Sequence, residues 1–441
     1  MTESRDAGRY RRAAWASTAH VLSRAAGLLV MLASVPLTLP YLGAERFGLW
    51  MLLASLVGLL GFLDLGVGNA LVNGVAVAST RDDAEGLRRT IGDGLAVMLV
   101  IATLIGGVTA SLAGLGPLAA WLKVVDPALA DELRTAALQF AGWFALQLFS
   151  ASILRIFAGL QRAYIAHLAV AAGYCVSLLA LFCAARAQAP IPVLLAATLG
   201  VNALAPLPLL AVLAREKLVR WPWRVPAQRA LPLLRSGGLF LLLQIGVMVG
   251  WSVDPLIISR ALGLADVAIY SVAQRVFQFV TQPLMILNAP LWAAYAEAQA
   301  RGDRGFVART LRASLLRTGL LAAAGAAVLL LAAPALLQWW TRSTVTPPFS
   351  LLLLFALWSV VEATGNAFAM FLNGAGIVRA QVAAVLLFCL LALPAKVWLA
   401  ARFGVSGVVL AGLAAYLLTM PLGYWLVGRR EISRALATGA T

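Results

Sequence analysis

Residues 21–73 read VLSRAAGLLVMLASVPLTLPYLGAERFGLWMLLASLVGLLGFLDLGVGNALVN, which is two long apolar runs separated by the short polar segment GAER at 43–46. An apolar run of about 20 residues is long enough to cross the hydrocarbon core of a bilayer as a helix. The stretch therefore predicts two transmembrane helices, and similar runs recur along the rest of the chain.

The composition agrees with a chain that lies mostly in lipid. Hydrophobic residues make up 62% of the 441 residues and charged residues only 12%, whereas soluble domains average about half apolar and about a quarter charged. No soluble domain of useful size remains between the apolar runs. We expect an all-α polytopic membrane protein.

The apolar runs predict about twelve transmembrane helices. The second and eighth are too long for one straight crossing, so we expect them to tilt, kink or extend beyond the hydrocarbon. The expected spans are approximately 17–40, 47–78, 91–114, 135–158, 164–185, 190–213, 237–260, 266–296, 311–336, 348–373, 378–400 and 405–427.

The net charge of +16 indicates how the chain is oriented in the membrane, because the Lys and Arg residues are unevenly distributed between the two sides. With a cytoplasmic N-terminus, 22 of the 34 Lys and Arg residues fall in cytoplasmic segments, seven fall on the opposite side, and five lie in or near spans. Cytoplasmic loops of membrane proteins carry such an excess of Lys and Arg. We therefore expect both termini in the cytoplasm, and no nucleic-acid partner.

An internal repeat divides the chain. LGAERFGLW (Leu42–Trp50) corresponds to LGLADVAIY (Leu262–Tyr270), and FAGLQRA (Phe157–Ala163) corresponds to LNGAGIV (Leu372–Val378). Six spans per half insert both halves in the same orientation, as in transporters with parallel repeats. The prediction is an N-terminal six-helix lobe (1–214), a basic cytoplasmic linker (215–236) and a C-terminal six-helix lobe (237–441) around a central cavity.

Polar side chains recur at helical spacing inside several spans. Guanidinium groups bind phosphate, and amides can bind sugar hydroxyls. Alternatively, the amides link helices, and an arginine near a membrane end extends to the surface, as Arg155 could. The candidate substrate-binding residues are Arg24, Arg155, Arg275, Gln147, Gln274, Gln278 and Asn366.

Three acids within the spans, Asp64, Asp254 and Glu362, are candidates for coupling to H⁺ or Na⁺. Alternatively, they pair with a nearby arginine or cap a helix break. Lys396 lies late in its span, and we expect it to extend to the membrane surface. Zinc-ligand spacings, phosphate-binding loops and nucleophile motifs do not occur in the sequence, so we expect no cofactor, no metal site and no enzyme.

The quoted opening stretch resembles the Wzx-type polysaccharide-biosynthesis (O-antigen and exopolysaccharide) flippases of the multidrug/oligosaccharidyl-lipid/polysaccharide (MOP) exporter superfamily. The resemblance covers Ser23–Arg24, the Leu42–Gly48 segment and LDLGVGNAL. In the second half, DPLIISRALGLADVAIYSVAQRV resembles the family's seventh span and its turn into the eighth.

The resemblance implies two six-helix lobes around a cationic cavity and translocation of undecaprenyl-pyrophosphate-linked oligosaccharide to the periplasmic leaflet by alternating access. Lipid-linked glycan and membrane lipids would be its partners, with a polysaccharide polymerase and assembly proteins as further candidates. The related lipid II flippases carry fourteen spans, whereas about twelve are expected here, and this difference argues against a peptidoglycan precursor as the substrate. A cation-coupled multidrug exporter of the same superfamily is the second hypothesis, and a non-transporting scaffold is the third.

Overall fold

The structure is a computed structural model, and it describes residues 2–60, 66–80, 83–219 and 248–436. Within these ranges the regular secondary structure is entirely helical. The predicted all-α class is therefore confirmed. Asp64 and most of the predicted linker lie outside the described residues.

The described residues of the first half form mostly long helices. A π-helical turn at Ala196–Gly200 interrupts the last of them. The helices are α1 (Thr2–Leu60), α2 (Val67–Thr80), α3 (Ala84–Leu115), α4 (Leu118–Trp121), α5 (Pro127–Gly159), α6 (Ala163–Arg186), α7 (Ile191–Leu195), α8 (Val201–Leu204) and α9 (Pro208–Arg215).

The described part of the second half begins with a π-helical turn, Met248–Ser252, and has another at Tyr424–Gly428. The eighth predicted span, which is too long for one straight crossing, is interrupted in the structure, because α11 ends at Asn288 and α12 begins at Leu291. The helices are α10 (Asp254–Ala261), α11 (Leu264–Asn288), α12 (Leu291–Ala300), α13 (Arg304–Thr341), α14 (Phe349–Gly374), α15 (Val378–Gly423) and α16 (Arg429–Leu436).

The two longest helices are each broken at a glycine with non-helical backbone angles, Gly43 in α1 and Gly404 in α15. A Cβ on Gly407 would overlap the backbone carbonyl of Leu399, yet residues eight apart in a straight helix are separated by about 12 Å. The chain therefore reverses at Gly404. This reversal lies where the sequence predicts the boundary between the eleventh and twelfth spans.

Among the described residues, eight helices are long and apolar enough to cross a membrane. On α3 the side chains of Leu104, Val108 and Leu112 follow each other at four-residue spacing and are all about 60% exposed. Such a continuous apolar stripe suits contact with lipid rather than water. The protein is a multi-pass membrane protein.

The chain forms two compact units. The first comprises Met1–Leu42 and Leu53–Leu241, and the second comprises Gly43–Leu52 and Leu242–Thr441. Within the first unit, close helix packing depends on small residues, because a Cβ on Gly106 would lie 2.7 Å from Cβ of Ala145. Helices in lipid associate through such close contacts.

The internal repeat is visible in the backbone of the two sequence halves. Gly43 and Gly263, at matching positions of the first sequence correspondence, have φ of 72° and 123° and the same ψ of 175°. Gln161 and Gly376, at matching positions of the second, have φ of 59° and 70°. Further left-handed pairs at a similar offset are Lys123 with Arg342 and Gln188 with Gly404. The halves thus repeat their turn conformations as well as their sequence motifs.

Candidate functional site

A buried ion pair lies in the second unit. Nζ of Lys396 on α15 is 2.5 Å from Oδ1 of Asp254 on α10, and the two residues are 0% and 3% exposed. The expectation that Lys396 extends to the membrane surface is therefore wrong. Its ammonium is held inside the unit because the acid and two backbone carbonyls satisfy it there. Asp254 pairs with a lysine, not with the arginine that the sequence interpretation offered.

Tyr270 and Gln274 of α11 extend this ion pair into a hydrogen-bonded chain. The Tyr270 hydroxyl donates to Oδ2 of Asp254 at 2.8 Å, and Nε2 of Gln274 donates to the Tyr270 hydroxyl at 3.4 Å. Gln274 is half-buried, whereas Tyr270 is buried. A partly exposed amide is thus connected to a fully buried charge pair through one phenol.

Other amides on the polar stripes link helices within the second unit. Nδ2 of Asn288 donates to Oδ1 of Asn366 at 3.4 Å, and Oδ1 of Asn288 accepts from the Thr318 hydroxyl at 3.2 Å. The candidate Asn366 therefore belongs to a link between α11, α13 and α14. Gln278 is half-buried and forms no hydrogen bond with the described part of the chain.

Arg275 is half-buried and packs against the segment Gly43–Leu52. Its guanidinium donates to Sδ of Met51 at 2.9 Å. A thioether is a weak acceptor, and the contact places the arginine beside the start of the second predicted span.

Glu362 is half-buried on α14. It lies close enough to Tyr270 and Tyr416 to interact with them electrostatically.

A cavity of about 130 Å³ in the first unit brings together two of the predicted substrate-binding residues, Gln147 and Arg155 of α5. Oε1 of Gln147 is buried and has no hydrogen-bond partner among the described residues. The Arg155 side chain is exposed and forms no ion pair with any described residue. The cavity therefore offers one unused acceptor and one unused cation.

Arg24 lies on α1 in the same unit. It is exposed and forms no hydrogen bond or ion pair with any residue in the described ranges. His20, one turn earlier, packs edge to face on His167 of α6, with 4.7 Å between the ring centroids. Arg24 and these rings form a basic and aromatic group on the first unit.

The residue that sequence reasoning missed is Lys396. Its position inside an apolar run was visible, and an intramembrane lysine marks a functional candidate by default. Its partner is 142 residues away in sequence, so spacing could not indicate the pair. Asp64 lies outside the described residues, so its assignment stays a prediction.

Comparison with known proteins supplies the family. The sequence profile of the polysaccharide biosynthesis protein family matches residues 10–295, which is well over half of the chain. A search of curated protein sequences gives no match.

Several solved structures share the fold. An inward-facing multidrug resistance MATE family transporter of the MOP superfamily has a TM-score of 0.79 at 16% identity, covering 93% of this chain and 96% of that chain. The lipid II flippase MurJ in an inward closed conformation has a TM-score of 0.70 at 11% identity, covering 96% and 90%. An outward-facing MATE transporter has a TM-score of 0.63 at 16% identity, covering 98% and 97%.

The solved neighbours are a transporter and a flippase, and the shared fold covers at least 90% of this chain and of each of theirs. The chain belongs to the polysaccharide biosynthesis protein family and has the flippase and transporter fold of the MOP superfamily.

Proposed function

We propose that the protein is a flippase for an undecaprenyl-pyrophosphate-linked oligosaccharide, such as an O-antigen, capsule or exopolysaccharide repeat unit. It carries this glycolipid from the cytoplasmic to the periplasmic leaflet of the bacterial inner membrane by alternating access. Both termini lie in the cytoplasm, in accordance with the distribution of Lys and Arg. The protein performs no covalent chemistry.

The observation that carries this proposal is the cavity beside Gln147 and Arg155, in a chain of a polysaccharide biosynthesis family. The exposed Arg155 guanidinium has no partner among the described residues, so it is available for an anion, and guanidinium binds phosphate oxygens in pairs. The unpaired Oε1 of Gln147 can accept a hydrogen bond from a sugar hydroxyl. A pyrophosphate joined to a sugar offers both of these groups.

Arg24 and Arg275 extend the proposed substrate path. Arg24 has no protein anion among the described residues, so it is also available to a phosphate. Gln274, Gln278 and Asn366 are proposed sugar contacts on the second unit. For Gln274 and Asn366 these contacts would compete with hydrogen bonds to Tyr270 and Asn288.

Asp254 and Glu362 are the proposed coupling residues, for H⁺ or Na⁺. Asp254 is the better placed of the two, because the chain of Tyr270 and Gln274 connects it to the polar face of α11. A change at Gln274 on substrate binding would alter the hydrogen bonds of a buried carboxylate.

Depletion of the protein tests the assignment in cells. The lipid-linked glycan should then accumulate on the cytoplasmic leaflet while surface polysaccharide falls. A polysaccharide polymerase and assembly proteins are the expected partners downstream. An unchanged leaflet distribution of every lipid-linked glycan would contradict the proposal.

A cation-coupled multidrug exporter is the second candidate, because MATE transporters share the fold. The predicted first span, 17–40, contains no acidic residue, although a cationic drug would require acids in its path. Drug-susceptibility testing of a deletion strain separates the two: hypersensitivity to cationic drugs with intact surface polysaccharide favours the exporter.

A further inference from the structure

The three N–H groups of the Lys396 ammonium face three oxygen atoms. Besides Oδ1 of Asp254 at 2.5 Å, Nζ donates to the backbone carbonyls of Val249 at 2.8 Å and Gly250 at 3.3 Å. An ammonium has three donors and no acceptor, so the side chain is fully satisfied. Backbone carbonyls freed at a broken membrane helix are also ligands that transporters use for Na⁺, and a carboxylate beside them supplies the negative charge that balances a monovalent cation.

The carbonyls are available because the backbone leaves the α-helical register before α10. Val253 N–H donates to the carbonyl of Met248 at 3.2 Å, whereas in an α-helix it would donate to Val249. In the π-helical register of Met248–Ser252, residue 255 would donate to Gly250. That residue is Pro255, which has no N–H. Sequence and turn together expose two carbonyl oxygens beside Asp254.

The aliphatic part of the Lys396 side chain is closely packed. The chain reverses at Gly404, and the returning segment places Gly412 against Lys396, where an added Cβ would lie 3.3 Å from Cε. The cavity beside the pair, lined by Gly250, Tyr270 and Gln274 among others, is about 10 Å³. This is room for about one water molecule, and a hydrated ion does not fit beside the ammonium.

We propose that this is a monovalent-cation site that the protein fills with its own cation, the Lys396 ammonium. Free Na⁺ does not bind at Asp254 while the lysine is present. Removing the ammonium but keeping the oxygens would open the site to Na⁺. This inference deepens the proposed coupling role of Asp254, and it excludes Na⁺ there as the coupling ion.

Binding of ²²Na⁺ and thermal unfolding in NaCl against choline chloride test the proposal, on four purified full-length proteins. These are the wild type, Lys396→Met, Asp254→Asn, and the double variant Lys396→Met with Asp254→Asn. We expect saturable ²²Na⁺ binding and an Na⁺-dependent rise in Tm only for Lys396→Met. The double variant is the matched control, because it lacks the carboxylate as well.

Saturable ²²Na⁺ binding to the wild type that Asp254→Asn removes would overturn the proposal. So would a folded Lys396→Met protein that neither binds Na⁺ nor gains Tm with it. If Lys396→Met does not fold, the wild-type comparison decides alone, since absence of Asp254-dependent binding is the expected result. No glycolipid is used, so a failed flippase proposal and a failed cation-site proposal give different results.

Discussion

Nζ of Lys396 and Oδ1 of Asp254 lie 2.5 Å apart in the interior of the second unit, although the residues are 142 positions apart in sequence. Charges in hydrocarbon are costly, and they persist where they pair with each other and with backbone carbonyls. The pair therefore fixes α15 to the π-helical turn before α10. It also fixes the acid that we propose for coupling.

Removing one charge of this pair should destabilise the protein strongly. Asp254→Asn leaves an ammonium buried without its counter-ion, and Lys396→Met leaves a bare carboxylate. Breaking a buried ion pair costs about 3–5 kcal/mol. Unfolding of both single variants and of the double variant in lipid nanodiscs measures the cost.

The double variant should be more stable than the sum of the single effects predicts, because it buries no unpaired charge. Additive losses in this double-mutant cycle would mean that the two side chains do not interact as the structure shows.

A close backbone contact fixes the segment Gly43–Leu52 in the second unit. A Cβ on Gly48 would overlap the carbonyl of Leu264, so Gly48→Ala must push the helices apart. We expect a loss of about 1–3 kcal/mol, as for other overpacked sites, visible as a lower Tm. Gly107→Ala on α3 is the control, since a Cβ there meets nothing within 4 Å. Equal Tm values for the two variants would contradict the contact.

Stability and transport should separate the linking amides from those available to substrate. Asn366→Ala removes the acceptor of Asn288 and should cost about 0.6–1.7 kcal/mol, the range for hydrogen bonds between membrane helices. Gln278→Ala breaks no hydrogen bond to a described residue, so it should leave Tm unchanged and lower the transport rate. Unchanged transport in Gln278→Ala would remove that residue from the proposed path.

Much of the fold could be predicted from the sequence. Each apolar run corresponds to one crossing of the membrane, and polar segments such as Gly43–Arg46 mark the points where the chain turns back. The repeat could also be predicted from the sequence. The structure adds that the matching residues Gly43 and Gly263 both have positive φ. Hydrophobic periodicity shows which face of a helix is polar. It does not show which residue lies opposite, so the pairing of Asp254 with Lys396 could not be predicted.

The π-helical turn at Met248–Ser252 has no sequence signature beyond Pro255. The candidate cavity was predictable only in part. Gln147 and Arg155 were both named from their place on one helix, eight residues apart, whereas the opposite wall includes Val57 and Met98 from elsewhere in the first unit.

Arginine substitutions should show whether particular arginines bind the phosphate of the substrate or whether any positive charge on the protein supports transport. Arg155→Ala and Arg24→Ala should each reduce glycolipid transport at least about tenfold, which corresponds to about 1.4 kcal/mol of lost interaction with the anion. Arg317→Ala on α13 is the control, because that exposed arginine lies outside the proposed substrate path. Equal transport by all three variants would contradict the assignment, provided that their amounts in the membrane match.

The most direct measurement is translocation of an undecaprenyl-pyrophosphate-linked oligosaccharide between the leaflets of proteoliposomes that contain only this protein. Access of a membrane-impermeant lectin or glycosidase to the glycan reports its leaflet. The flippase proposal predicts that the wild type transfers the glycolipid much faster than protein-free liposomes do, and that the Arg24→Ala, Arg155→Ala double variant does not. A wild-type rate equal to that of empty liposomes, under every cation gradient applied, would contradict it.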